Sequence, residues 1–259
     1  MNFLLLLAAA LAGGMANALA GGGTFLTFPM LVLTGLDPIV ANATSAATMI
    51  WGGIASLWVY SRDTSYPGGF LGALIAVSVA GGLTGSTLLL LTPSARFALM
   101  VPFLMLGAAL VYSFSDQIAH LAERRAFTAT ASADPSPPTI YWTPMLVGEY
   151  LISCYGGYFG AGMGVLMIVL FVLTAQMDVQ QSAALRFYCT MGINGLAVIN
   201  FAFRGVVRWD LSIPMAVAAV TGGYLGARIV RVLRPRTARR AVLIFAWTMT
   251  VWLFIRTFA

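Results

Sequence analysis

Lysine is absent from this chain, histidine occurs once, as His120, and there are only two cysteines, Cys154 and Cys189. Charged residues make up 8% of the 259 positions, where a soluble domain carries about 25%. Each scarcity removes a class of function. The lone histidine falls in a polar stretch between apolar segments, so a histidine-dependent site inside the membrane is excluded. Both cysteines sit in apolar segments without metal-ligand spacing, and they read as small buried hydrophobes rather than a redox or sulfur-relay pair. Too few charges remain for a soluble catalytic domain. No pair of carboxylates falls in mid-segment, which leaves a metal cation without ligands and offers no clear proton-coupling site. No cofactor is implied. The absence of lysine is equally well explained by coding bias and carries no argument.

What the chain does have is 60% apolar residues, in runs that approach or exceed the ~20 residues needed to cross hydrocarbon. The expected fold is an all-α polytopic membrane protein. Apolar segments fall at about 3–34, 38–60, 68–91, 97–114, 144–175, 179–203, 211–232 and 241–258. All 14 basic residues are arginines, and they cluster in the connections rather than in one patch, which reads as inner-leaflet charge rather than nucleic-acid binding. The first twenty residues could pass for a secretory signal, but they lack a basic start and the apolar pattern runs on, so they are expected to stay in the mature chain. A charged and then Ala/Ser/Pro-rich stretch, "SDQIAHLAERRAFTATASADPSPPT", separates four segments from four. The expected organisation is a first transmembrane repeat at 1–114, a cytoplasmic linker at 115–140 and a second repeat at 141–259.

The two halves resemble each other at an offset of 141. Asp37 falls on Asp178, "GGLTG" at Gly81 falls on "GGYLG" at Gly222, and Gly21 and Gly23 fall on Gly162 and Gly164. Duplicated units of this kind are common in secondary transporters, whose sites lie between the repeats near the midplane. The first and fifth segments are each about 32 residues, or ~48 Å as straight helices, against ~30 Å of hydrocarbon. Each carries a glycine cluster in its middle, "AGGG" ending at Gly23 and "GAGMG" ending at Gly164. Glycine costs about 1 kcal/mol relative to alanine inside a helix, so a break is expected at each cluster. Such a break needs protein or a wet cavity around it, and the helix that restarts presents free N–H groups that suit an anion.

The arginines discriminate between two topologies. If every segment crosses, the two sides collect six and seven arginines, which gives no orientation. If the first and fifth segments are re-entrant hairpins, Arg96, Arg204, Arg208 and Arg256 share one side and nine others, including Arg62, Arg124, Arg125 and Arg228, share the opposite one. The second arrangement obeys the positive-inside rule and makes the repeats inverted, with a cytoplasmic linker.

One charge has no place in a loop. Arg186, in "AALRF", lies eight residues after Asp178, or ~12 Å into the bilayer. A guanidinium at that depth faces a cavity or a partner, and its planar fork suits sulfonate, sulfite or carboxylate oxygens. The alternative is a structural ion pair with Glu149. The expected substrate site therefore combines Asn17, Gly21, Gly22, Gly23, Thr24, Asn42, Thr44 and Ser45 from the first half with Gly162, Gly164 and Arg186 from the second. Asn194 and Asn200 are secondary candidates. Asp37 and Asp178 each precede a helix start and are expected to be N-caps.

With these residues in place the sequence resembles the sulfite exporter family, TauE/SafE. The likeness rests on "GGMANALAGGGTFLTFPMLVLTGLDPIVANATSA", on the GGxxG of the third segment and on the weaker repetition from Gly148 onward. The resemblance implies a multi-pass inner-membrane secondary transporter of sulfur-containing anions, such as sulfite, thiosulfate or a small organosulfonate like sulfoacetate. Arg186 departs from the small residues and Thr-Ser pair typical of the family's second repeat, and its fixed positive charge favours a larger or more oxidised anion. The alternatives are a transporter of another small anion such as a carboxylate, and an intramembrane enzyme using Ser45 or Cys189, for which no base is evident. A coupling proton or sodium ion, a homodimer and the direction of transport are left open by the sequence.

Overall fold

In the computed structural model the described residues are 3–61, 65–131, 140–229 and 235–258. They form ten α-helices: α1 (Phe3–Ala20), α2 (Thr24–Leu33), α3 (Pro38–Tyr60), α4 (Gly68–Leu91), α5 (Ser94–Ala131), α6 (Trp142–Tyr158), α7 (Met163–Ala175), α8 (Val179–Phe203), α9 (Trp209–Ile229) and α10 (Pro235–Phe258). The first and fifth apolar segments are each divided in two, as the glycine clusters imply. The expected linker begins differently from its composition, because α5 continues as helix through Ala131; residues 132–139 lie outside the described residues. Arg62, Arg231 and Arg234 also lie outside them.

Both broken segments fold back on themselves. A Cβ placed on Gly13 would lie 3.0 Å from Thr27 Cγ2 and 3.1 Å from the Gly23 carbonyl, so α2 returns along α1. In the second half the Tyr141 N–H donates to the Thr174 carbonyl at 2.8 Å, which joins the mouth of the α6–α7 hairpin. Helix initiation is conventional elsewhere. Asp37 accepts from the Ile39 N–H at 2.9 Å and Asp178 from the Gln181 N–H at 2.7 Å. Both aspartates are N-caps, and Pro38 occupies the first helical position behind Asp37, where its missing N–H is harmless.

The two halves clasp each other. Helix α1 lies parallel to α9, with Leu11 against Gly222 and Met15 against Gly226; α6 lies parallel to α4, with Tyr150 against Gly81 and Cys154 against Gly85. These GxxxG faces let backbones touch without intervening side chains, the packing that lipid solvent rewards. Helix α3 runs parallel to α9, through Arg208 N–H to Thr44 Oγ1 at 3.1 Å and Thr48 Oγ1 to Ser212 Oγ at 3.3 Å. Helix α4 pairs in the same sense with α8, through Asn200 Nδ2 to Ser86 Oγ at 3.0 Å. The central pair, α3 and α8, is antiparallel: Tyr60 at the end of α3 stacks on Phe187 near the start of α8, with ring centroids 5.2 Å apart. So is the outer pair α5 and α10, where Phe103 meets Phe254 and Trp247 donates to Ser113.

The offset between the halves is not constant. Helices α8 and α9 begin 141 residues after α3 and α4 (179 − 38, 209 − 68), whereas α7 begins 139 residues after α2 (163 − 24), and the α6 residues that meet α4 lie 139 after the α1 residues that meet α9 (150 − 11, 154 − 15). Two extra residues enter the second half between the starts of α7 and α8. The ungapped match of Gly21 to Gly162 and Gly23 to Gly164 is therefore corrected by two positions. Gly21, at φ +74°, has its counterpart in Gly160, at φ +80°, and the N-cap Gly23 has its counterpart in the N-cap Gly162.

Among the described residues, α4, α8, residues 94–114 of α5 and residues 240–258 of α10 are long and apolar enough to cross a membrane on their own. Helices α3 and α9 carry polar groups such as Thr44, Ser45, Thr48 and Ser212 on their buried faces and apolar residues such as Trp51, Trp58, Ile213 and Val217 on their exposed ones. Close backbone packing gives a direct test. Replacing Gly85 by leucine drives a side chain into the Cys154 carbonyl, while Gly72 on the same helix has nothing within 4 Å of its would-be Cβ. Gly85→Leu is expected to destabilise the detergent-solubilised protein by about 1–3 kcal/mol, read as a lowered melting temperature, and Gly72→Leu to leave it unchanged.

Candidate functional site

The hairpin tips meet in the middle of the bundle. Gly21 and Gly164 lie back to back, a Cβ on Gly21 falling 3.1 Å from the Gly164 Cα, and Arg186 Nη1 occupies the space that a side chain on either would need. Around this point is a small cavity of about 30 Å³, room for about two water molecules. Its polar lining comes from Asn17 and Thr24 of the first hairpin, Asn42 of α3, and Arg186, Thr190 and Asn194 of α8. Glycines 21, 156, 157, 160 and 164 supply bare backbone, and Met49, Met163, Phe159, Phe187 and Phe201 close the apolar side.

Arg186 is 2% exposed. Its Nη2 donates to the carbonyls of Asn17, at 2.9 Å, and Ala18, at 3.4 Å, in the last turn of α1. The Asn17 carbonyl also accepts the last bond of the helix, from the Gly21 N–H at 3.1 Å, and beyond it the helix stops, so the cation caps the negative end of the helix dipole. The guanidinium carbon lies 4.4 Å from the centroid of its neighbour Phe187. Nε is buried with no partner. The ion pair considered for Arg186 with Glu149 does not form: Glu149 accepts instead from Ser78 at 2.6 Å and Ser153 at 3.1 Å.

The other broken helix is finished in a related way from the opposite half. Asn42 Nδ2 donates to the Tyr158 carbonyl at 3.1 Å, at the end of α6, and Tyr155 Oη donates to the Ala161 carbonyl at 2.6 Å inside the turn. Beyond the breaks, α2 begins at Thr24 and α7 at Met163. Among the described residues, neither the Thr24 nor the Gly164 N–H has a protein acceptor, and both residues line the cavity. Two helix N-termini thus present free donors beside a buried cation.

The candidate residues divide accordingly. Asn17, Gly21, Thr24, Asn42, Gly164 and Arg186 are brought together at the cavity, with Asn194 beside them. Gly22 packs on Tyr112 and Val242, Gly23 on the Gly13 carbonyl and Met49, and Gly162 on Ala108. Thr44 is engaged with Arg208, and Ser45 shares a 2.6 Å hydrogen bond with Thr27 that fastens α2 to α3. Asn200 bonds α4 and stands away from the cavity. The second restart lies before Gly164 rather than after it: α7 opens at Met163 because Gly162 takes φ +76°, leaving Gly164 in its first turn. Gly156, Gly157, Gly160 and Thr190 were not among the candidates. Gly160 carried a signal in principle, since it is the partner of Gly21 once two residues are allowed for.

Comparison with known proteins agrees with this architecture. The family model for the sulfite exporter TauE/SafE matches residues 5–253. Relatives include a probable membrane transporter protein, ORF9, of a Sinorhizobium species, 25% identical over 86% of this chain and 81% of its own length. A probable membrane transporter protein of Haemophilus influenzae is 24% identical over 90% of this chain and 87% of its own. The Escherichia coli probable membrane transporter protein YfcA is 23% identical over 93% and 85%. No solved structure matches the chain. With the family match spanning almost the whole length, the chain belongs to the sulfite exporter TauE/SafE family and is a multi-pass membrane protein of the transporter kind.

Proposed function

We propose that this protein is a secondary transporter of the bacterial inner membrane that binds a small sulfur-containing anion (sulfite, thiosulfate or an organosulfonate such as sulfoacetate) between two inverted halves. The observation that carries the reading is Arg186, a buried guanidinium that has no carboxylate partner among the described residues, with its Nε unsatisfied, in the lining of a cavity shared by two helix N-termini. A buried cation left in this state is several kcal/mol unfavourable, and an oxyanion that reaches Nε, Nη1 and the free N–H groups relieves it. Each of these anions presents three oxygens on one sulfur, which match donors converging from several sides.

Inversion is supported by the antiparallel runs of α3 against α8 and α5 against α10, which are the third and the fifth helices of each half. The first hairpin then enters from one face of the bilayer and the second from the other, and each contributes one N-terminus to the site. At about 30 Å³ the cavity is closed around its donors, so loading and release require the hairpins to part from α3 and α8 in alternation. The face that carries Arg96, Arg204, Arg208 and Arg256 is the outer one, opposite the more arginine-rich side. On that face the Arg256 Nη1 donates to the Val32 carbonyl at 3.1 Å.

Two experiments test these statements. Proteoliposomes are given labelled sulfite, thiosulfate, sulfoacetate and acetate in parallel. Uptake of at least one sulfur anion is expected, with Arg186→Ala reducing it at least tenfold and Arg186→Lys retaining part of it at a raised KM. Uptake of acetate alone would replace the substrate class with carboxylates, and uptake unaltered in Arg186→Ala would remove Arg186 from the site. Orientation is read with single thiols in a cysteine-free background. Ser65→Cys is expected to react with an impermeant maleimide only from the cytoplasmic side and Arg204→Cys only from outside.

A further inference from the structure

Behind the α6 wall of the cavity lies a second polar cluster that the anion site does not use. Glu149 is fully buried at mid-length of α6, seven residues from its start, or ~10 Å along the helix. Its Oε1 accepts from Ser78 of α4 at 2.6 Å and from Ser153 of α6 at 3.1 Å, and its Oε2 is buried with no partner. The thiol of Cys189, on α8, lies against the same carboxyl. Helix α7 has no ionisable residue, α4 presents Ser78, and Arg186, one turn before Cys189 on α8, is directed at α1 instead. On α6 itself Tyr150 turns to Thr84 and Tyr155 to the Ala161 carbonyl. Among the described residues no cation pairs with Glu149.

The other half shows that this carboxyl is unnecessary for packing. At the helix offsets established above, the counterparts of Glu149, Ser153 and Ser78 are Ala10, Gly14 and Ala219 (149 − 139, 153 − 139, 78 + 141). Ala10 and Ala219 are fully buried, and Gly14 packs directly on the Ala219 backbone. The same joint between a hairpin arm and the fourth helix of the opposite half is thus made once with alanine and glycine and once around a carboxyl. An ionised, unpaired carboxylate in such a place costs far more than a neutral acid, so the group takes a proton wherever water brings one to it.

We propose that Glu149 is a proton-binding site that couples the anion cycle to the carriage of one proton. The inference rests on the anion-transport reading above. Glu149 shares α6 and α8 with the cavity, whose walls include Gly156 of α6 and Thr190 of α8. A negative charge in the cavity opposes a second one on Glu149, so anion binding strengthens proton binding, and by linkage the proton strengthens anion binding. The loaded transporter carries the anion with Glu149 as CO₂H. After the anion leaves, the proton passes to water on that side; the empty transporter returns with the carboxylate held by the Ser78 and Ser153 hydroxyls and takes up another proton on reopening, so one proton crosses per anion.

The test uses the intact protein in proteoliposomes at clamped membrane potential, with whichever of thiosulfate and sulfoacetate is transported, or sulfite against empty vesicles. An inside-alkaline gradient of one pH unit is expected to accumulate the anion up to about tenfold. Glu149→Gln, which mimics the protonated acid, is expected to keep anion exchange at equal pH and to lose gradient-driven accumulation. Accumulation by Glu149→Gln equal to wild type overturns the proposal, and so does wild-type uptake that ignores the gradient. Wild type that moves none of the three anions fails the anion-transport reading instead. Should the variant not assemble, wild type alone decides. An apolar carbodiimide, which attacks protonated carboxyls, is expected to modify Glu149 in acid and less as pH rises, with the midpoint moved upward by saturating anion. A midpoint unmoved by an anion that is transported overturns the linkage.

Discussion

A helix that stops inside hydrocarbon leaves carbonyls without donors and amides without acceptors, and there is no water to take them. The rest of this structure follows from how that debt is met. The last turn of α1 ends on Arg186 of α8, with Tyr60 of α3 also donating to the Ala18 carbonyl at 3.3 Å. The last turn of α6 ends on Asn42 of α3. Each terminating helix is finished by a helix of the other half, so the breaks can exist only where the halves meet. The amides that begin α2 and α7 are the complement of this arrangement. They are the donors left over, and they share one small cavity with the cation that capped the carbonyls.

Glycine serves two separate purposes here. At Gly21, Gly160 and Gly162 it supplies positive φ where the chain reverses. At Gly81, Gly85, Gly222 and Gly226 it removes side chains so that α4 and α9 accept the backbone of a hairpin arm directly. The two uses are coupled in space. Close packing of the arm on its partner fixes the depth at which the reversal occurs, and hence brings Gly21 and Gly164 into contact with Arg186.

Much of this was legible in the sequence because the costs involved are large. Three adjacent glycines and a buried arginine are both expensive in a membrane helix, and both mark what they suggest: a break, and a cavity. The N-cap roles of Asp37 and Asp178 were readable from their place before a helix start. The register of the second break was not, because α7 and its following turn are two residues longer than α2 and its turn, an insertion that a run of small residues hides. Thr44 and Ser45 lie near Asn42 in sequence, but a helix turns 100° per residue, and they face α9 and α2 while Asn42 faces the cavity. Glu149 sits close enough to the start of its apolar segment to pass for an interfacial residue; only the packing of α4 and α8 over it shows how deeply it is enclosed.

The clasp between the halves has a consequence for how the chain is made. The face of α1 that ends on Gly222 and Gly226 is synthesised some 200 residues before those glycines exist. During most of translation the first hairpin therefore stands in lipid without the Arg186 cation that caps its first helix, waiting for α8 and α9. Assembly is governed by contacts distant in sequence, so closure of the bundle is a late and slow event. Until it occurs, the nascent chain is held in the membrane by its long apolar helices while its broken ones depend on whatever protein is nearby.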